Sequence, residues 1–564
     1  MKSVLCISML SLVMAAVAVA QPNVPANAIL NAASDAYVGL PNSSIAQGSI
    51  FTIYGTNLGP PPPSPPLAYP LQTTLGGVSV KVTSGGTTVN AIPVFVGPNQ
   101  INAILPGNTP TGTANLTVTY NGASPAASFQ VAANSFGSFA LNSQGFGPGV
   151  ITDANYQFYA ANKSAQPGDV SILWGTGLGA SAGDDGSAPP KQVDMPNLAL
   201  TLYVGAQKAT VLYRGRASST GEDQINFQIP TGVTGCNVPV AVQIGNIVSN
   251  FVTMPIATTG RVCSDPSGPT PTDITNFFSN GGSLGSVSLT RTTTSSPGLP
   301  PPLGNGQPTT TTTDSGSATF QKYTPQQLTF AQNPFQTYTI GACVVFAFSG
   351  RSAVVTDPIK PVGLDAGSAI GVNGPNGAKQ LTSTAALGKG FYSASLGGGT
   401  PPTNTPLYLD AGSYAINGPG GADVGPFSLN LTVPPNLTWT NMSSIDTITR
   451  ANGQLVTWTG GDPNGTVTMT GVSIKLGTKQ DGSDAVGAIF NCTAPDSALQ
   501  FTIPATVLLS LPPSSTLEVV PGVSISFSSL SLANGTQPVK FNATGLDYAY
   551  GSTSVSVGKT VTYQ

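Results

Sequence analysis

The chain of 564 residues contains no histidine and only two glutamates, Glu222 and Glu518. The absence of histidine excludes Ser-His-Asp and Cys-His catalysis, histidine metal ligands and histidine pH switches. A glutamate pair of the kind that glycosidases use would have to join two distant parts of the chain. The sequence therefore predicts a non-enzymatic protein with no catalytic residue, and a hydrolase that relies on aspartates alone is the weakest alternative.

Charge is also scarce. Charged residues make up 7% of the chain and the formal net charge is −3, whereas typical domains contain about 25% charged residues. So little charge provides no basic patch for nucleic acid and no attraction to an anionic membrane. The 40% hydrophobic content argues against disorder. The length predicts roughly three or four domains.

The long apolar run in this sequence is at the N-terminus. It extends from Val4 to Val19, follows Lys2 and ends in small residues up to Ala20. This pattern predicts a signal peptide over residues 1–20, cleaved after Ala20, and Cys6 lies inside its apolar core rather than at a lipoprotein cleavage point. No other run is long enough to predict a membrane span. We therefore expect a secreted protein, extracellular or at the cell surface.

Four cysteines remain after cleavage: Cys236, Cys263, Cys343 and Cys492. An even number in an exported chain favours disulfides. Three pairings are possible, and we favour Cys236–Cys263 with Cys343–Cys492 because the first two lie close together near the end of one predicted domain. No C-x-x-C spacing suggests zinc. No metal and no cofactor are predicted.

An internal repeat is the clearest signal in the chain. Residues 48–59, GSIFTIYGTNLG, match residues 168–179, GDVSILWGTGLG, and the Gln100-Ile101-Asn102 tripeptide matches Gln224-Ile225-Asn226. Two ordered matches indicate a duplicated unit. Alternating residues and hairpin signals such as Asn121-Gly122 predict short antiparallel strands. Since neither mature unit shows sustained helical periodicity, we expect two β-sandwiches.

Both units resemble the immunoglobulin-like IPT/TIG-type domain of the Solibacter-type secreted proteins of soil acidobacteria. The segments that carry the resemblance are GSIFTIYGTNLGP, GDVSILWGTGLGA, GPNQINAILP, EDQINFQIP and NIVSNFVTMPI. The resemblance covers about residues 30–257 and implies an Ig-like sandwich in an extracellular setting, but it implies no ligand. The proline-rich stretch Pro60–Pro70 departs from the pattern and is predicted to be an exposed loop.

The predicted fold class is all-β, with tandem immunoglobulin-like sandwiches followed by a further β-sandwich-rich C-terminal region. Within that region, a strand–turn pattern at 364–378 recurs at 409–422. The Pro-, Gly- and Thr-rich stretch before it is typical of a linker. The predicted organisation is a signal peptide at 1–20, Ig-like domains at 21–135 and 136–257, a linker with short strands at 258–330, a β-rich repeat unit at 331–425 and a C-terminal domain at 426–564.

Trp439 and Trp458 admit two interpretations. Exposed tryptophans could stack on sugar rings, which would make the chain an extracellular carbohydrate-binding module. Alternate strand residues share a face, however, so Leu437 accompanies Trp439 and Val456 accompanies Trp458, which favours a place in the core. The main hypothesis is therefore an adhesion or scaffold protein with an unknown extracellular protein or polysaccharide partner, and carbohydrate binding through these tryptophans is the alternative.

Three further motifs have plain explanations. The pairs Asp184-Asp185 and Asp481/Asp484 lack the spacing of a calcium loop and are typical of turns. Ser556 and Lys559 have Ser-x-x-Lys spacing, but they lie in a predicted strand rather than on a helix that would bring the two side chains together.

Overall fold

The computed structural model describes residues 21–564 except 182–184, 187–190, 220, 267, 299–303, 332, 336, 338, 351–359, 384–387, 401–403, 480–481 and 522. The predicted signal peptide lies outside these residues. The fold is nearly all β, as predicted, and it consists of tandem β-sandwich units. Within the described ranges, no helix is long and apolar enough to cross a membrane.

The first unit is a sandwich whose two layers share one long strand. In β6, Ala91 pairs with Val80 of β5, whereas Ile92 pairs with Ile104 of β7 in the other layer. Alternate residues of the facing strands fill the core, including Phe51, which is fully buried. The strands are β1 Ile29–Asn31, β2 Ile45–Ala46, β3 Ile50–Tyr54, β4 Thr74–Leu75, β5 Val78–Ser84, β6 Thr87–Val96, β7 Gln100–Ile104, β8 Gly112–Thr119 and β9 Ala127–Ala132.

Turns in this unit follow the sequence signals. Asn121 has a φ of 51° and the Tyr120 N–H donates to the Gly122 carbonyl oxygen, which closes the connection between β8 and β9. Asn tolerates the left-handed region better than most residues, so the predicted hairpin is confirmed. The Pro60–Pro70 stretch contains no strand and exposes Leu67 and Tyr69, as expected.

The second unit repeats this plan in two sheets, ordered β10-β13-β18-β17-β14 and β11-β21-β19-β15-β16, with β12 beside β13 and β20 beside β19. Strand β13 corresponds to β3, and β18 corresponds to β7. The strands are β10 Gly137–Ser138, β11 Gly147–Pro148, β12 Ile151–Asp153, β13 Val170–Thr176, β14 Val193–Asp194, β15 Thr201–Val204, β16 Gln207–Lys208, β17 Thr210–Arg216, β18 Asp223–Gln228, β19 Gly235–Ile244, β20 Ile247–Val248 and β21 Val252–Ile256.

The third unit is built on one large sheet with smaller sheets and short helices against it. Its helices are α1 Pro271–Asn280, α2 Pro325–Phe330 and α3 Ala505–Leu509, with 3-10 turns at Met442–Ser444, Arg450–Asn452 and Asp496–Ala498. Its strands are β22 Gly282–Ser296, β23 Thr309–Tyr323, β24 Cys343–Ser349, β25 Val362–Gly363, β26 Ala369–Gly374, β27 Gly377–Thr382, β28 Phe391–Gly398, β29 Gly412–Gly418, β30 Phe427–Val433, β31 Leu437–Trp439, β32 Thr447–Ile448, β33 Gln454–Gly460, β34 Thr466–Lys475, β35 Val486–Pro495, β36 Gln500–Ile503, β37 Thr516–Val520, β38 Val523–Ser526, β39 Ser529–Gly535, β40 Val539–Lys540, β41 Tyr548–Thr560 and β42 Thr562–Tyr563.

The stretch 258–330 is not the linker that its composition suggested. It contains α1 and the two 15-residue strands β22 and β23, which pair with each other along their whole length. β22 also pairs in parallel with β41, so this hairpin lies inside the large sheet. Threonine is β-branched and suits a pleated strand, and buried Leu289 and Phe320 anchor the hairpin in the core.

The predicted division between 331–425 and 426–564 also differs from the structure. Strand β29, before the division, pairs with β30, after it, along seven residue pairs. The two copies of the smaller repeat meet directly, because β26 pairs with β29 through Val372 and Ile416. One sheet therefore includes both predicted parts.

Buried contacts join the three units. The Asn31 side chain in the first unit donates to the Ser135 and Thr176 carbonyl oxygens, at 3.2 Å each. Phe251 of the second unit belongs to the core of the third. The Phe146 ring contacts the Phe346 ring edge-on, with centroids 5.8 Å apart. These contacts fix each unit against the next.

Candidate functional site

The four cysteines form the two favoured disulfides. Cys236 lies in β19 and joins Cys263, which is packed among α1 and third-unit residues such as Phe277. This bond therefore lies at the contact between the second and third units. Cys343 and Cys492 are direct partners on β24 and β35, in the large sheet. Cys263, Cys343 and Cys492 are buried and Cys236 is half-buried, so both bonds are in structural positions.

Trp439 and Trp458 do not form a ligand surface. They are direct partners on β31 and β33, and they are only 4% and 1% exposed. The Trp439 Nε1–H donates to Asn441 Oδ1 at 2.8 Å, and the Trp458 Nε1–H donates to the Asp496 carbonyl oxygen at 3.0 Å. The stacking interpretation is wrong for these two residues, because core packing against Leu437 and Val456 covers the rings, as the shared strand faces predicted.

The buried ion pairs have structural partners. Arg216 donates to Asp223 at 2.7 Å, and the same carboxylate accepts the N–H groups of Gly177 and Leu178. Burial raises the pKa of Asp223 to about 6, and Arg216 and the two N–H donors oppose that shift. Asp223 thus holds the Gly-Thr-Gly-Leu-Gly turn, which links two of the repeated sequence motifs physically.

A second buried pair lies in the large sheet. Arg291 donates to both oxygens of Asp314, at 2.8 and 2.9 Å, and Asp314 also accepts the N–H groups of Tyr408 and Leu409. Although burial alone would raise the pKa of Asp314, Arg291 and these N–H donors lower it below its ordinary value. This arrangement gives the fully buried Asp314 charge its structural partners.

The aspartates that were considered for calcium act in turns and contacts. Asp484 accepts the N–H groups of Thr478 and Lys479, and Asp185 accepts the Gly107 N–H across the first and second units. Asp184 and Asp481 lie outside the described residues. In the described part of the chain, no three His, Cys, Asp or Glu residues are grouped closely enough to hold a metal ion.

The repeated Gln-Ile-Asn tripeptide places a pair of amides on the strand face away from the core of each Ig-like unit, where Gln100, Asn102 and Asn226 are half-buried and Gln224 is buried at 2% exposed. The middle isoleucines, Ile101 and Ile225, belong to the cores, so their neighbours point outward. The Gln100 Nε2–H donates to Asn102 Oδ1 at 2.9 Å, and the Gln224 Nε2–H donates to Asn226 Oδ1 at 2.7 Å.

Aromatic residues flank the amides at matching positions. Tyr54 is the register partner of Gln100, and Trp174 is the register partner of Gln224. On the other side, Phe95 pairs with Asn102 and Tyr213 pairs with Asn226. Registered partners in an antiparallel sheet share a face. Each unit therefore presents a row of aromatic and amide side chains.

The second unit adds two exposed rings to its row. Tyr156 and Phe158 follow β12 and are 58% and 52% exposed. Phe158 forms an isolated β-bridge with Thr152 of β12, and Thr152 in turn pairs with Ile172 of β13, the strand that carries Trp174. The Tyr156 and Trp174 ring centroids are 6.0 Å apart. We call the surface made by six side chains the aromatic–amide face; it consists of Tyr156, Phe158, Trp174, Tyr213, Gln224 and Asn226.

A family model decides the nature of the first unit. The IPT/TIG domain model matches residues 39–134. The first unit contains an IPT/TIG domain. The match covers the strands that carry Tyr54, Gln100 and Asn102, so the first amide row belongs to this IPT/TIG domain. The finer resemblance to Solibacter-type secreted proteins stays a prediction.

Several solved structures are similar to this chain. They include the plexin A4 extracellular region, domains 1 to 8, at 15% identity, covering 43% of this chain and 19% of that chain with a TM-score of 0.17. SGBP-B from a xyloglucan utilization locus in Bacteroides uniformis is 11% identical, with coverage of 72% and 96% and a TM-score of 0.18. Domains 5–6 of the S-layer protein SbsC are 10% identical, with coverage of 42% and 100% and a TM-score of 0.15.

These likenesses are too low in TM-score to transfer a ligand or an arrangement of domains from any of these proteins. The chain spans 19% and 31% of the lengths of the two plexin A4 structures. A search of curated proteins finds no match. The function must therefore be argued from this chain's own residues.

Sequence reasoning missed the aromatic–amide face. It identified both Gln-Ile-Asn tripeptides, but only as evidence of duplication. In the structure Trp174 is half-buried, and its Nε1–H donates to Thr152 Oγ1 at 3.1 Å. The signal available in the sequence was the alternation of buried isoleucine with outward amides, beside an aromatic residue at the same place in each copy.

Proposed function

We propose that this protein is exported and acts outside the cell as a non-enzymatic binding and adhesion scaffold. The observation that supports this most strongly is the continuous series of buried contacts from the first unit through the second to the third, exemplified by Asn31 and Phe251. Units fixed in this way can present their outer loops and faces in a constant orientation. That property suits a protein that holds a partner at a distance.

Two further features support export. Disulfides persist in oxidising compartments, and this chain contains two of them. The N-terminal 20 residues have the pattern of a cleavable signal peptide. In a reducing cytoplasm, neither disulfide would persist.

The non-enzymatic part of the proposal rests on where the ionisable groups lie. Asp223 and Asp314 each accept an arginine and two backbone N–H groups, so their lone pairs are occupied by structural partners. A hydroxyl nucleophile needs an adjacent base. Lys559, the residue with Ser-x-x-Lys spacing to Ser556, instead donates to the Met442 carbonyl oxygen at 3.3 Å and forms an ion pair with Asp446.

Carbohydrate binding remains a second candidate function, but through a different surface from Trp439 and Trp458. The observation that favours it is the aromatic–amide face of the second unit, where Tyr156 and Phe158 are exposed beside the half-buried Trp174 and Asn226.

Cell fractionation tests the export proposal. The full chain is expressed in a bacterium and detected in cytoplasm, on the surface and in the medium, and the exported form is sequenced from its N-terminus. We expect an exported chain that begins at Gln21. The matched control is Leu12→Arg, which interrupts the apolar run and should retain the chain inside. Recovery of wild-type protein only from the cytoplasm, with Met1 intact, would contradict the proposal.

A further inference from the structure

We propose that the aromatic–amide face of the second unit binds a neutral carbohydrate chain. Trp174 and Tyr156 would provide the rings on which a sugar stacks, and Asn226 would provide a fixed hydrogen-bond donor beside them. This inference deepens the proposed binding role by naming its surface and ligand class, and it rests on that extracellular function.

The two exposed rings are held outward by a tight turn. Tyr156 has a φ of 61°, a left-handed conformation that is uncommon for a non-glycine residue. The turn that imposes it is secured by Asp153, whose carbonyl oxygen accepts the Tyr156 N–H at 3.0 Å and whose carboxylate accepts the N–H groups of Asn155 and Gln157. This turn leaves the Tyr156 ring 58% exposed, outside the hydrophobic core.

The amides beside the rings are oriented before any ligand arrives. Asn226 Oδ1 accepts the Gln224 Nε2–H at 2.7 Å, and Gln224 Oε1 accepts the Gln192 Nε2–H at 3.1 Å. Because Asn226 Oδ1 faces Gln224, the Asn226 Nδ2 group points away from Gln224, and it donates to none of the described residues. An amide N–H₂ fixed in this way can donate to a sugar hydroxyl. A few placed polar groups among aromatic side chains are typical of a binding site.

The chemistry of the face selects a neutral sugar over other ligands. All six side chains are uncharged at neutral pH, and burial raises the pKa of Tyr213 further above its ordinary value. A phosphate-bearing or acidic ligand would find no cation among these six side chains. A purely apolar protein surface would bury the Asn226 amide without a partner, at a cost in free energy. A pyranose combines apolar C–H faces, which pack on aromatic rings, with hydroxyls at its edges.

The first unit provides an internal comparison. Its row has the same amides, but the Tyr54 hydroxyl donates to Asp35 at 3.3 Å, whereas Trp174 in the second unit lies beside the exposed Tyr156 ring. The part of that face around Ile50 and Ile104 is covered, because Gly221 of the second unit packs against both side chains. We therefore assign sugar binding to the second unit alone.

Affinity electrophoresis of the full mature chain tests the proposal. Native gels contain hydroxyethylcellulose, xylan or galactomannan, and dissociation constants follow from the retardation at increasing polysaccharide concentration. We expect retardation by at least one of them. Trp174→Ala and Tyr156→Ser should each weaken binding by about tenfold or more, equivalent to about 1.4 kcal/mol. Trp174→Phe keeps a ring and should retain part of the affinity.

Two variants serve as matched controls. Phe527→Ala removes a ring of the third unit that is 47% exposed, against 58% for Tyr156, and Tyr54→Phe alters the first unit's row; both should bind as the wild type does. Thermal unfolding shows whether each variant folds. If Trp174→Ala does not fold, Tyr156→Ser tests the proposal in its place, because Tyr156 is exposed.

Three results would overturn the proposal: no retardation by any of the three polysaccharides, retardation that Tyr156→Ser and Trp174→Phe leave unchanged, or Trp174-dependent binding of a decaproline peptide in place of sugar. None of them would affect the fractionation result, so failure of sugar binding and failure of the export proposal are distinguishable.

Discussion

Trp174 lies directly opposite Gln224 on neighbouring strands of the second unit, at the position where Tyr54 faces Gln100 in the first. The same pairing recurs in both copies of the repeat, with amide hydrogen bonds of 2.7 and 2.9 Å. Duplication has thus kept this aromatic–amide pairing outside the hydrophobic core as well as the core itself. The copies differ at the edge, where the second unit alone adds the exposed rings of Tyr156 and Phe158.

Tryptophan fluorescence should separate the three indole rings. Trp439 and Trp458 are buried, whereas Trp174 is half-buried on an outer face. We expect acrylamide to quench mainly the emission of Trp174, because a quencher must reach the ring. Trp174→Phe should leave a blue-shifted emission that acrylamide quenches poorly, and Trp439→Phe should keep the quenchable component. Equal quenching in the two variants would contradict the assigned burial.

Removal of Arg216 should destabilise the protein strongly. Asp223 is fully buried and would lose its guanidinium partner. Breaking a buried pair in this way costs about 3–5 kcal/mol. The control is Arg261→Met, which breaks an exposed pair with Asp169 and should cost less than about 1 kcal/mol. Urea unfolding of Arg216→Met and Arg261→Met gives both values.

The same variant should show a pH dependence of known sign. Burial already raises the pKa of Asp223 to about 6 in the folded protein, above its ordinary value. A carboxyl whose folded pKa is raised binds protons more tightly when folded, so its contribution to stability is lost as the pH rises through that pKa. Without Arg216 the pKa rises further. The loss of stability in Arg216→Met should therefore be larger at pH 8 than at pH 4.5, and the opposite order would refute this account of the pair.

The two disulfides should differ in their contribution to stability. Cys236–Cys263 closes a separation of 27 residues and Cys343–Cys492 one of 149. In the chain-entropy model these correspond to about 3.5 and about 5 kcal/mol. We expect Cys343→Ser/Cys492→Ser to lower the unfolding free energy more than Cys236→Ser/Cys263→Ser. Non-reducing peptide mapping of exported protein checks the pairings, and two free thiols at either pair would exclude that bond.

Hydrogen exchange should distinguish the central hairpin from the exposed loop. Gly316 and Phe320 lie on β23, which pairs with β22 on one side and β28 on the other, and Phe320 is fully buried. Their amides should exchange only on global unfolding. The Leu67 and Ala68 amides in the Pro60–Pro70 loop should exchange rapidly. Rapid exchange at Gly316 and Phe320 would restore the interpretation of this stretch as a linker.

The β-sandwich class and the duplication could be predicted because they depend on local alternation and on repeated turns such as Asn121-Gly122. The role of 258–330 could not, because proline, glycine and threonine are typical of linkers and the partner of β22 is β41, more than 250 residues away. The aromatic–amide face was missed for a related reason. Tyr156 and Phe158 lie in a turn, where periodicity does not show which way a side chain points, and their proximity to Trp174 depends on tertiary structure.

A substrate screen tests the central claim, that the protein works without a catalytic centre. The mature chain, with both disulfides formed, is assayed against panels of glycosidase, esterase and protease substrates between pH 5 and 8. We predict background rates in every assay, because the buried carboxylates of Asp223 and Asp314 are occupied by structural partners and the chain has no histidine. Robust turnover that disappears when a single aspartate is changed to asparagine would contradict the account and establish the protein as a hydrolase.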